Sequence, residues 1–347
     1  MRALADYSPE ELAATFASWG EKPSHAARLL KRFYDRHGTV DLGDVGLSKS
    51  LRDRIGRHIA LMQSSIAART RAADGTVKLL VRMADGSAVE AVLMPSHRPD
   101  RAAGCVSSQA GCAMGCRFCA STVGGLERNL SAGEIVEQFL HLRREASRHG
   151  RRLATLVFMG IGEPMHNLDN VIAAIGRIAA PGMGGLGGRQ ITVSTVGIVP
   201  GIDRLAGADL NVHLAVSLHA PDDATRAMLI PMNRGYGVSQ IMAAARRFGE
   251  RTGRIVTVEY CLLAGVNDSD EQARRLAALM DGFRAHVNLI PYNSSSEVDG
   301  FERPSEQRVA RFVGILREHR VVAHQRRPRG DRAGAACGQL RAVAGLR

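Results

Sequence analysis

The chain lacks any long uninterrupted apolar run, so none of it is expected to span a membrane. Its start, MRALADYSPEEL, lacks the basic-then-apolar order of a secretory signal. The expected location is therefore cytoplasmic, where thiols stay reduced and structural disulfides are rare. Aromatic residues make up only 4% of the 347 positions, too few for a base-stacking platform of the single-strand-binding kind. Lysine is nearly missing: only Lys22, Lys31, Lys49 and Lys78 stand among 46 basic residues. There is no short internal repeat and no low-complexity segment. With 45% hydrophobic and 23% charged residues, the composition is that of an ordinary globular chain with one large domain or a large domain and a small companion.

What is present in excess is positive charge. A net charge of +12 and a pI near 10.1 suit a polyanionic partner, most simply nucleic acid, held through its phosphates. An arginine surplus with abundant Ala and Gly also fits GC-rich codon usage, which raises Arg without any binding purpose. The N-terminal basic residues Arg28, Lys31, Arg32, Arg52, Arg54 and Arg57, with the tail RRPRGDR, are candidates to grip folded RNA by phosphate and shape. Ordinary solvated helix faces are the plain alternative.

The first stretch reads as helices. SPEELAATFASWG opens with Ser8 as a cap before Glu10 and Glu11, and PSHAARLLKRFYDRHG and SKSLRDRIGRHIA follow. Residues 64–94 then alternate in short runs, with hairpin turns predicted at Asp74-Gly75 and Asp85-Gly86. From about residue 102, strand candidates GCVSSQ, LATLVFMG, RQITVSTVG, NVHLAVSLHA, RIVTVEYCLLAG and HVNLIPYN alternate with helical runs. The first of these helices opens on a capping box, Ser131 and Glu134. Strands alternating with helices imply βαβ units and a parallel sheet. The predicted class is α/β, a partial (β/α)6 barrel with a small N-terminal helical module and a short β extension, and a doubly wound sheet is the competing architecture. The expected divisions are residues 1–62 (helical, RNA-binding), 63–97 (β extension), 98–331 (core barrel) and 332–347 (C-terminal segment).

Four of the six cysteines fall in CVSSQAGCAMGCRFC, residues 105–119. Cys112, Cys116 and Cys119 are spaced C-x3-C-x2-C after the first barrel strand, where barrels of this kind carry their chemistry. A structural zinc site wants four ligands, usually as two paired knuckles, and no second C-x2-C occurs. Three thiolates on an iron–sulfur cubane leave one iron open to a substrate or cofactor.

CAMGCRFC resembles the radical S-adenosylmethionine (SAM) superfamily signature. The longer set CVSSQAGCAMGCRFCAST, RNLSAGEIVEQ, FMGIGEPMHN, ITVSTVGIVPGID, LAVSLHAPDD, LIPMN, LIPYN and RGDRAGAACGQL resembles the RlmN/Cfr group of RNA adenine methyltransferases from about Glu90 to Leu340. The resemblance implies a partial barrel, one 4Fe-4S cluster on Cys112, Cys116 and Cys119, and two SAM per turnover. It implies SAM contacts at Gly162, Glu163, Ser194, Ser217, Leu218, His219 and Asn293. It makes Cys337 the methyl carrier, with Arg329 and Arg332 nearby to stabilise its thiolate. It makes Cys105 the resolving thiol that forms a disulfide with Cys337, and Glu90 the base that takes the ring proton. Without the resemblance, Cys337 would be incidental, His219 a turn histidine, and Glu90 a charged strand residue. Cys261, alternating inside an apolar strand, reads as a buried core thiol.

The implied reaction is methylation of adenine carbon-2 in 23S rRNA, with tRNA beside the anticodon as a second candidate. A low-potential donor such as flavodoxin or ferredoxin would supply electrons, and the chain is expected to act as a monomer. Methylation at carbon-8 of the same adenine uses the same motifs and stays open, as does a divergent paralogue with another RNA target. A glycyl-radical activating enzyme shares C-x3-C-x2-C but has no use for Cys105 and Cys337. An RNA-binding cluster protein without catalysis is the non-enzyme alternative.

Overall fold

The structure is a computed structural model, and it describes residues 1–233, 235–295, 298, 300–326, 330 and 334–340. The N-terminal module holds three helices, α1 (Pro9–Ser18), α2 (Ser24–Asp35) and α3 (Lys49–His58). Ser8 caps α1 as expected: its hydroxyl accepts from the Glu11 N–H while the Glu11 carboxylate accepts from the Ser8 N–H. The apolar positions Leu12, Phe16, Leu29, Phe33, Leu51 and Ile55 meet in a small core, each fully buried. Arg2–Ala3 pairs in parallel with Ile59–Ala60, which closes the module on itself.

One ten-stranded sheet forms the rest, and its spatial order is its chain order. Its strands are β1 (Ser65–Arg71), β2 (Val77–Arg82), β3 (Ala88–Pro95), β4 (Arg101–Cys105), β5 (Arg152–Phe158), β6 (Ile191–Thr195), β7 (His213–Ser217), β8 (Val256–Leu262), β9 (Ala285–Pro291) and β10 (Ala323–Gln325). From β1 to β4 the pairing is antiparallel, through turns at Gly75 and Gly86, whose φ values of +81° and +90° only glycine adopts freely. From β4 to β10 it is parallel. The β extension is thus continuous with the barrel sheet. Among the described residues β1 and β10 do not pair, so the barrel stays open.

The barrel helices are α4 (Ala132–Arg148), α5 (Leu168–Ala179), α6 (Val199–Ala206), α7 (Asp223–Leu229), α8 (Val238–Thr252), α9 (Asp270–Met280) and α10 (Glu306–Glu318). They cover the outer face of the sheet, and the apolar strands bury themselves on both faces, as parallel strands do. Three features depart from expectation. The first barrel strand ends at Cys105 rather than running to Gln109, because Gln109–Gly111 turns away to pair with Leu126–Asn129. The short β10 and the helix α7 were not anticipated; each has too few residues to display a period.

Candidate functional site

The hairpin after β4 makes the thiol loop. Gly111 sits at φ +72°, and a Cβ there would meet the Gly125 carbonyl oxygen at 2.1 Å, so the neck of the hairpin admits only glycine. Across that neck the Cys112 N–H donates to the Gly125 carbonyl (2.9 Å). The Thr122 hydroxyl donates to the Cys119 carbonyl (3.0 Å). α4 fixes the approach to the loop: the Gln138 amide accepts from the Ser107 N–H (2.9 Å) and donates to the Ser107 carbonyl (3.1 Å).

Cys112, Cys116 and Cys119 line one cavity together with Gly162, Glu163 and Cys337. Cys112 and Cys116 are buried and Cys119 is half-buried. Burial pushes all three thiols up, Cys112 to about 11, and neighbouring thiols add to the rise. Among the described residues no three His, Cys, Asp or Glu side chains converge to hold a single ion, so the thiols stand as separate donors around the cavity. Three thiols carried on one loop are a donor set that an iron–sulfur cluster takes when one iron is left open. Loading it would draw the thiols off as thiolates and release their protons.

Gly162 and Glu163 line the same cavity. Gly162 has φ +105°, and a Cβ would come within 2.6 Å of the Gln109 side chain. The Glu163 carboxylate is 3% exposed and accepts from the Val196 (2.8 Å) and Met165 (3.0 Å) N–H groups, each on a different oxygen. The Thr195 side chain acts on the same carboxylate, which leaves one lone-pair direction for a cationic donor. Ser194 at the end of β6 and Ser217 at the end of β7 also line the cavity, with hydroxyls 3.3 Å apart. His219 sits at φ +61°, its Nδ1 accepts from the Cys261 N–H (2.9 Å), and its ring meets Phe118 edge-on. Burial, aided by Arg226, pushes its pKa down to about 3, so the ring is neutral with its proton on Nε2.

Two expected contacts take other places. Leu218 is fully buried in the main core and does not line the cavity. Asn293 lines a second cavity of about 830 Å³ and turns its amide to the Cys337 carbonyl (3.4 Å).

That second cavity contains Cys105 and Cys337. Cys105 ends β4; burial, then the nearby Cys337, pushes its thiol up to about 12. Cys337 is exposed and lines both cavities. Its loop is docked by the Ala120 N–H to the Gly338 carbonyl (2.7 Å), the Ser121 hydroxyl to the Leu340 carbonyl (2.7 Å) and the Gln339 amide to the Ser294 carbonyl (2.7 Å). Both thiols are free. The expected cations Arg329 and Arg332 lie outside the described residues. Among the described residues, a cation that acts on Cys337 is Arg326, directly after β10, which opposes the upward push of burial on that thiol. Glu90 is buried on β3 with Lys78 Nζ 2.8 Å from its carboxylate.

Sequence reasoning missed Arg326 and Glu259. Glu259 on β8 is 4% exposed and lines the first cavity. One of its oxygens accepts from Asn288 (3.0 Å), and the other has no partner among the described residues. The available signal was a lone charge inside the apolar run VTVEYCLL. Cys261 is buried as expected, yet it lines the cavity rather than the core behind the sheet. Of the N-terminal basic residues, Arg28, Arg54 and Arg57 donate to carbonyls of the module itself, and Lys31 pairs with Asp35.

Residues 106–277 match the model of the Radical SAM superfamily. The chain is 54% identical over 346 residues to the "Probable dual-specificity RNA methyltransferase RlmN 1" of Opitutus terrae, covering 99% of this chain and 98% of that one. It is 45% identical to the "Probable dual-specificity RNA methyltransferase RlmN" of Symbiobacterium thermophilum, over 97% of this chain and 91% of that one. The crystal structure of a radical SAM methyltransferase from Sphaerobacter thermophilus superposes with a TM-score of 0.94 at 43% identity, covering 99% of this chain and all of that one. A four-iron cluster and SAM belong to this superfamily, and the three free thiols with the Gly162–Glu163 cradle fit them. The chain belongs to the RlmN family of radical SAM RNA methyltransferases.

Proposed function

We propose that this enzyme methylates carbon-2 of an adenine in 23S rRNA, and of a tRNA adenine beside the anticodon, through a methylated Cys337. One observation carries the reading: Cys337 lies at the junction of the three-thiol cavity and the cavity that holds Cys105. A methyl carrier must face the methyl source, the substrate and the thiol that releases it. The names of the relatives, dual-specificity RNA methyltransferases, support RNA as the substrate.

Carbon-2 of adenine is an electron-poor aryl C–H with no nucleophilicity, so simple displacement on a methyl sulfonium fails there. Held by Cys112, Cys116 and Cys119 and by Glu163, Ser194, Ser217 and His219, the cluster and SAM would supply a methyl group and a hydrogen-abstracting radical. Cys337 sulfur takes the methyl group as the sulfonium C–S bond breaks, one SAM serving this step and a second the radical. Once that methyl has lost a hydrogen atom, its carbon bonds to the ring; the adduct would return one electron to the cluster, left oxidised by SAM cleavage, as Glu90 takes the ring proton. Cys105 then attacks the Cys337 sulfur. The S–S bond forms, the electron pair of the S–CH2 bond passes to carbon, and a proton completes the methyl group. A cellular dithiol would return the disulfide to the two free thiols, and a flavodoxin or ferredoxin would supply the low-potential electron. The target base must leave its stack to reach the site.

The test is anaerobic. The reconstituted protein is incubated with SAM, reductant and 23S rRNA fragments, and the digested RNA is compared with 2-methyladenosine and 8-methyladenosine standards. 2-Methyladenosine is the expected product. 8-Methyladenosine would keep the mechanism and overturn the position, and cleaved SAM without modified adenosine would overturn the choice of RNA.

A further inference from the structure

Lys78 is the one lysine of the β sheet, and its surroundings are unusual for so solvated a side chain. It projects from β2, is only 18% exposed, and reaches the Glu90 carboxylate at 2.8 Å. The same ammonium donates to the Gly334 carbonyl at 3.1 Å, three residues before Cys337. Glu90 is equally constrained: its side chain is 5% exposed and its backbone carbonyl accepts from the Ser107 hydroxyl (2.7 Å). One cation therefore ties a buried carboxylate on β3 to the loop that carries the exposed thiol. Burying a carboxylate without a partner would favour its neutral form, which cannot take a proton. An ammonium at hydrogen-bond distance favours the charged form and fixes its direction.

We propose that Lys78 is a positioning residue for Glu90, holding its carboxylate ionised and in register with the Cys337 loop for removal of the ring proton. This rests on the assignment of Glu90 as the base. The loop itself has other anchors, at Ala120, Ser121, Asn293 and Gln339, and the Asp74 carboxylate accepts from the Gly330 N–H (2.9 Å). Loss of Lys78 should therefore leave Cys337 able to accept a methyl group while proton removal fails.

The experiment uses the reconstituted full chain with SAM and a 23S rRNA fragment, and follows turnover and, by peptide mass, methylation of Cys337. Lys78→Met is expected to lower kcat on the order of 100-fold, the worth of a general base, while the KM for RNA stays within about threefold. Cys337 methylation is retained. Lys78→Arg restores part of the rate. In a Glu90→Gln background Lys78→Met has no further effect, because a residue that acts only through another shows no independent loss. Should Lys78→Met fail to fold, Lys78→Gln keeps a donor for Gly334, removes the charge and carries the same comparison. The proposal is overturned if Cys337 methylation falls in step with turnover, or if the two losses multiply in the double variant. Wild-type turnover by Lys78→Met beside an inactive Glu90→Gln would sink this proposal alone. Wild-type turnover by Glu90→Gln would sink the assignment of Glu90 as well.

Discussion

Cys337 and Cys105 are both cysteines near one cavity, and their surroundings divide their roles. Cys337 is exposed on a docked loop beside Arg326, which suits the proposed methyl carrier. Cys105 is 7% exposed and has its thiol pushed up to about 12 by burial, which suits a thiol that, on the proposed mechanism, waits until a neighbouring sulfur becomes electrophilic. Cys105→Ala should accordingly stop the cycle after the ring bond has formed. A covalent protein–RNA species is expected on denaturing gels, stable to heat and absent from Cys337→Ala. Free methyladenosine released by Cys105→Ala at the wild-type rate would refute that role. These two thiols were legible because their motifs are linear. Glu259 and Arg326 were not, because each becomes a site residue only by position: Glu259 sits beside Ser217 and Asn288 in the strand register, and Arg326 follows a three-residue strand. No linear period reports which side chains share a row across parallel strands.

At the scale of an element, α4 does most to place the chemistry, and much of that was visible in the sequence. The Ser131–Glu134 capping box forms as read, with the Ser131 hydroxyl accepting from the Glu134 N–H (3.1 Å). What could not be read is how many tasks Glu134 shares. The Arg128 guanidinium grips both its oxygens at 2.8 Å and also pairs with Asp85, so the thiol-loop hairpin is tied to the β2–β3 turn. Gln138, one turn further on, holds both backbone groups of Ser107. Removing the cap should loosen this whole corner. Ser131→Ala is expected to lower stability by about 1 kcal/mol in chemical denaturation, the usual worth of an N-cap. The reconstituted cluster should be lost faster under chelator, since the helix start anchors the hairpin through Arg128. An unchanged denaturation midpoint would show that Glu134 holds α4 without its serine. The β-extension turns were equally legible, since Asp-Gly pairs announce the backbone they need. The early end of the first barrel strand was not, because GCVSSQ has the same local character whether it pairs straight on or turns into a second hairpin.

At the scale of the whole molecule, a buried carboxylate ties the joint between the basic helical module and the barrel. Glu137 on α4 is fully buried, and its oxygens accept from the Gln63 N–H (2.9 Å) and the Ser64 N–H (2.7 Å), at the joint between module and sheet. His141, one turn along, meets the Ser64 hydroxyl at 3.0 Å. Asp6 adds a second tie by accepting from the Gly133 N–H at the start of the same helix (2.6 Å). This joint was not foreseeable: residues 63 and 64 lie more than 70 positions from their partners. If the module carries the RNA, as proposed for its basic residues, this joint would set how it is presented, with an apolar core continuous between module and barrel beneath it. Glu137→Ala strands the Gln63 and Ser64 N–H groups and the Ser64 hydroxyl and should cost about 2–4 kcal/mol. Glu137→Gln retains an acceptor and should cost less. Limited proteolysis is expected to release residues 1–62 first in Glu137→Ala, and RNA affinity should fall while reductive cleavage of SAM in the barrel, which needs none of these contacts, continues. Equal loss of SAM cleavage and RNA binding would mean that the module and barrel fold as one inseparable unit.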